Sequence, residues 1–84
     1  MEKREEFLTR ARKALQQLIS DGIVTTVSAH LEGDEWRVHV GTAVQTDRRA
    51  PGYDAARAEA AKARISDALE GLPIGAIRTA AMGM

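Results

Sequence analysis

Two histidines and an arginine, His30, Arg37 and His39, are the residues in this chain with the most chemistry to offer. Imidazole changes charge near neutral pH, and guanidinium grips carboxylate or phosphate through paired N–H groups. Zinc would need a third protein ligand, for which Glu32 or Glu35 would have to serve. Ligands drawn from two separate segments lack the spacing of a metal motif, so no metal site and no cofactor is assigned. A second concentration is basic: Arg48, Arg49, Arg57, Lys62 and Arg64, with Tyr53 among them. Three or four guanidinium groups on one loop and one helix face would suit phosphates, and Tyr53 could stack on a base. Asp47, Asp54, Glu59 and Asp67 are interspersed, and Arg64 has Asp67 three residues on as an intrahelical partner. No glycine-rich phosphate loop and no convergent pair of carboxylates is present. The sequence therefore assigns no catalytic residue and reads as a non-enzyme.

The elements that position these residues are well marked. Phe7, Leu8, Ala11, Ala14, Leu15, Leu18 and Ile19 recur at helical spacing, which predicts an amphipathic helix over 3–20 that Asp21-Gly22 terminates. Two β-branched segments, 23–31 and 36–46, flank Glu32-Gly33-Asp34-Glu35 and predict an antiparallel hairpin. With Gly33-Asp34 as the turn, Leu31 faces Trp36, Ala29 faces Val38, Val27 faces Val40, Thr25 faces Thr42 and Ile23 faces Val44, all on one side. The other side then holds Val24, Thr26, Ser28, His30, Arg37, His39, Gly41, Ala43 and Gln45. A loop carrying Arg48 and Arg49 leads to Asp54, a helix N-cap, and a helix over 55–70 that Gly71 and Pro73 close. Its core stripe is Ala58, Ala61, Ile65, Ala68 and Leu69. A second strip, Ala56, Ala60 and Ala63, points elsewhere and is a candidate contact for a second copy. In the tail, 72–84, residues 74–79 are the candidate for a third strand. The expected fold is a single α+β domain of order α-β-β-α, its sheet covered on one face by both helices.

Composition limits what such a domain does. The chain has 84 residues, 12 Lys+Arg against 12 Asp+Glu, and no cysteine. A domain this short buries only about 60 to 65% of its unfolded surface, and with neither disulfides nor thiolate metal sites a partner subunit is the remaining source of buried area. A homodimer is expected on that ground. No uncharged run approaches the ~20 residues a membrane helix needs, and the mixed charge of Met1 to Glu6 does not read as a signal peptide, so a cytoplasmic protein is expected.

These readings lead to one functional expectation and one competitor. The expectation is a small interaction protein, an adaptor or inhibitor, that meets a protein partner through the open sheet face (His30, Arg37, His39) and the Arg48, Arg49 and Tyr53 loop. Proteins of this kind include phage-encoded inhibitors such as anti-CRISPR proteins. The competitor is direct nucleic-acid binding through Arg48, Arg49, Arg57, Lys62 and Arg64. The acidic turn and the arginine-rich loop would lie at different places, giving polar ends to a chain whose net charge is zero.

Overall fold

Leu8, Ala11, Leu15 and Leu18 can share one buried surface only on a helix. In the computed structural model, which describes residues 2–81, that helix comes in two pieces, α1 (Arg4–Ala14) and α2 (Gln16–Ser20). The single helix expected over 3–20 bends at Leu15, whose backbone sits at φ −92°, ψ 5°. The hydrogen-bond ladder runs through the bend: Leu15 N–H donates to Ala11 and Ile19 N–H to Leu15. Leu15 is fully buried there, so the bend keeps both pieces against a twisted sheet. Gly22, at φ +77°, turns the chain into the first strand.

The hairpin consists of β1 (Val24–Glu32) and β2 (Glu35–Thr42), and its register from Glu32↔Glu35 to Thr26↔Gly41 is the expected one. Beyond Thr26 it slips. Thr25 forms a bulge and Val24, not Thr25, faces Thr42. The extra residue turns Val24 from the open face into the core, where it is buried, and leaves Thr25 exposed. The second strand ends at Thr42 instead of 46, because the Thr42 hydroxyl donates to the Val44 carbonyl at 2.7 Å and bends the chain away. The last hairpin contact is Ala43 N–H to the Ile23 carbonyl, so Val44 never reaches its expected place opposite Ile23.

Asp54 caps α3 (Ala55–Ala68), its carboxylate accepting from Arg57 N–H at 3.2 Å. Ala58, Ala61 and Ile65 are buried, followed by Leu69. The helix stops before Gly71, which takes φ +93°. The tail then forms β3 (Ile74–Ala81), which pairs with β2 in parallel, giving the order β1-β2-β3. A helix between two neighbouring strands carries the chain back along the sheet, which is what parallel pairing requires. The sheet is thus mixed, and the third strand is longer than the expected 74–79. Gly75 forms a bulge where β3 begins, directly under the Glu35 side chain, which occupies the space a Cβ would need.

Helices cover one face of this α+β fold. Phe7 and Trp36 stack at its centre, ring centroids 4.3 Å apart and planes within 5°. Around them lie Leu8, Leu15, Leu18, Val38, Val40, Ile65 and Leu69. Truncating Trp36→Ala is expected to cost about 3 to 5 kcal/mol, a large share of what a small domain possesses, read as lost or weakened cooperative unfolding in urea. Asp54→Ala should cost about 1 kcal/mol by removing the cap of α3. A Trp36 variant within about 1 kcal/mol of the parent would show that the stack does not hold the core.

Candidate functional site: the open sheet face

Strand alternation decides what the uncovered face carries. With Trp36, Val38, Val40 and Thr42 turned to the helices, the intervening residues of β2 point the other way. Three rows then cross the strands: His30–Arg37–Ala76, Ser28–His39–Arg78 and Thr26–Gly41–Ala80. His30 and His39 lie diagonally, their rings stacked with centroids 5.4 Å apart. The sequence reading of a shared histidine face is realised, and Arg78 joins it. That residue was missed because the pairing of residues 74–79 was unassigned. The signal was present: once Ile77 is turned inward beside Val38, Arg78 must stand beside His39.

Charge is unevenly satisfied along the face. Near the turn, Glu32 Oε2 lies 3.4 Å from Arg37 Nε and 3.7 Å from His30 Nε2. Arg37 Nε is buried and makes no hydrogen bond of acceptable geometry, so Glu32 attracts it as a charge without a directed contact. Further along, among the described residues, Arg78 has no carboxylate at ion-pair distance. Thr26, Ser28, His39, Gly41, Arg78 and Ala80 line a depression of about 300 Å³. Gly41 and Ala80 make it shallow, while two hydroxyls, an imidazole and a guanidinium supply its polar groups. Val40 and Thr79 also border it, and no carboxylate is among its lining residues. Among the described residues, no cluster of three or more His, Cys, Asp or Glu is placed to hold a metal.

The basic residues lie on two elements, the loop after β2 and α3. Arg48 and Arg49 are exposed on the loop after β2, where Asp47 accepts from Arg49 N–H at 2.9 Å. Gln45, Thr46 and Asp47 of that loop border Thr79, Ala80 and Ala81, at the end of the sheet away from the hairpin turn. Thr42 lies five residue steps along β2 from Arg37, about 17 Å of strand, so the loop and the His30–Arg37 row sit at opposite ends of the sheet. Tyr53 is half-buried before α3. On α3, Arg64 reaches Asp21 at 3.3 Å in place of Asp67, and Lys62 lies 3.9 Å from Glu59. Arg57 is exposed, as are Ala56, Ala60 and Ala63. No described helix is long and apolar enough to cross a membrane.

No family model matches the chain, and neither the curated proteins nor the solved structures contain a match to it. The open face is therefore judged on its own geometry. Arg78→Ala should leave unfolding free energy within about 0.5 kcal/mol of the parent, because the side chain is exposed and unpaired. A much larger loss in urea denaturation would give Arg78 a structural role and remove it from the site.

Proposed function

We propose that this chain is a non-catalytic interaction protein, an adaptor or inhibitor, whose open sheet face docks on an anionic surface of a macromolecular partner. The observation that carries this reading is the Ser28–His39–Arg78 row: an imidazole and an unpaired guanidinium stand beside hydroxyl groups on a strand surface that no helix covers. A rigid sheet fixes their spacing before the partner arrives, so little ordering cost falls on the binding step. The work done is occlusion or bridging. Arg48, Arg49 and Tyr53 serve as a second contact only for a partner wide enough to span the sheet from its middle to that end.

Direct nucleic-acid binding is the other reading, supported by Arg48, Arg49 and Arg57, which have no carboxylate at ion-pair distance among the described residues. Arg64 and Lys62 contribute less to it, since Asp21 and Glu59 already lie against them.

The two are separated by affinity capture from a native lysate, with and without nuclease, using the parent, an Arg78→Glu/His39→Ala variant and an Arg48→Ala/Arg49→Ala variant. The sheet-face reading expects capture that survives nuclease and is lost on Arg78→Glu/His39→Ala, with the loop variant reduced less. Nuclease-sensitive capture that is lost with Arg48 and Arg49, together with affinity for mixed DNA or RNA that falls steeply with salt, would replace it with the nucleic-acid reading.

A further inference from the structure

The two edges of the sheet are finished differently. On β1 the Thr25 bulge interrupts the strand, His30 and Glu32 add polar side chains, and the Arg4 guanidinium reaches over from α1 to donate to the Ala29 carbonyl at 2.8 Å. Bulges, charges and covering side chains are the usual protections of an edge strand. β3 is an eight-residue strand with no proline and a single charge, Arg78, and its bulge at Gly75 lies at the very start. From Ala76 onward its register is regular, and among the described residues no strand pairs with its outer edge, although the 45–47 loop borders its last three residues.

The flank beside that edge is also unfinished. Between α3 and β3 runs a trough of about 490 Å³ lined by Glu59, Lys62, Ala63, Ser66, Ile77 and Thr79. Ile77 packs on the core yet is only partly buried.

We propose that a second copy of this chain completes the β3 edge: the two β3 strands pair antiparallel about a two-fold axis, joining both sheets into one and bringing the two α3 helices side by side. An isologous contact must be self-complementary. The flank meets that condition, since it carries one acid, Glu59, and one base, Lys62, among small side chains. Ala63 and Ser66 let the paired helices approach to the ~8 to 10 Å of ordinary helix packing while the strands stand ~4.8 Å apart. The axis runs perpendicular to the sheet, so both open faces point the same way. The dimer then presents two Ser28–His39–Arg78 rows on one continuous surface. This pairing holds whatever the open face binds.

The absence of cysteine makes the test direct. Spin labels on Ala76→Cys, Arg78→Cys and Ala80→Cys, and on Thr25→Cys at the other edge, report distances between copies, while light scattering up to millimolar concentration reports mass. The expected result is a dimer in which the β3 labels are closer together than the Thr25 labels. Ala63→Arg, which places bulk and charge on an exposed helix position, should weaken the dimer about thirtyfold or more, as loss of an interface hot spot does. A chain that stays monomeric at millimolar concentration overturns the proposal. So does a dimer whose Thr25 labels are the closer pair, or one that a folded Ala63→Arg variant forms as strongly as the parent. If Ala63→Arg does not fold, the label distances decide alone.

Discussion

The contact between Phe7 and Trp36 joins parts of the chain that have no other strong reason to meet. Trp36 lies opposite Leu31 on β1 and beside Ile74 on β3, and it takes the Phe7 ring from α1 on its face. One residue thus pairs with both neighbouring strands and stacks on the first helix. A two-stranded hairpin is barely stable in water, and α3 offers mainly alanine to the core, so few other contacts bury comparable area. With Phe7 and Trp36 spent on the helix side, the opposite side of the sheet is left to polar groups and small residues. The open face is the consequence of a core that has only one layer of cover.

The same economy shapes the charge distribution. Net charge is zero, but Glu32, Asp34 and Glu35 lie at the hairpin turn and Arg48 and Arg49 at the far end of β2. At the acidic end Glu32 lies against Arg37. In the middle of the sheet, among the described residues, Arg78 has no carboxylate at ion-pair distance.

How much of this was legible depended on whether a residue's place is set locally. The α3 cap at Asp54, the turn at Gly33-Asp34, the hairpin register near it and the burial of Trp36 follow from neighbours in sequence, and all are found. The bulge at Thr25 follows from the need to bury Val24, a condition imposed by the helices and invisible in strand alternation alone. The early end of β2 depends on one hydroxyl, that of Thr42, choosing the Val44 carbonyl. At the site, the histidine and arginine cluster could be read from the register, whereas Arg78 could be added only once β3 was known to run parallel to β2. The Arg48–Arg49 loop and the His30–Arg37 row lie apart for a related reason: residues adjacent to a strand's end in sequence lie a whole strand away from its beginning.

The parallel pairing of β2 and β3 also sets an order of events in folding. Glu32 and Glu35 meet across a closed turn, whereas Trp36 and Ile74 must wait until α3 has formed and swung back over the sheet. Hairpins close in microseconds, while contacts that span a helix and two loops bear a larger entropy of closure before any reward. During that interval β2 is itself an edge, with Val38 and Val40 on one side and an unpaired backbone toward solvent. The nascent chain is therefore most exposed to mispairing after the hairpin is made and before its last strand arrives. Gly75 bears on that last pairing: in the docked sheet a Cβ there would meet the Glu35 side chain, so any larger residue would make the glutamate move aside before the strand could close.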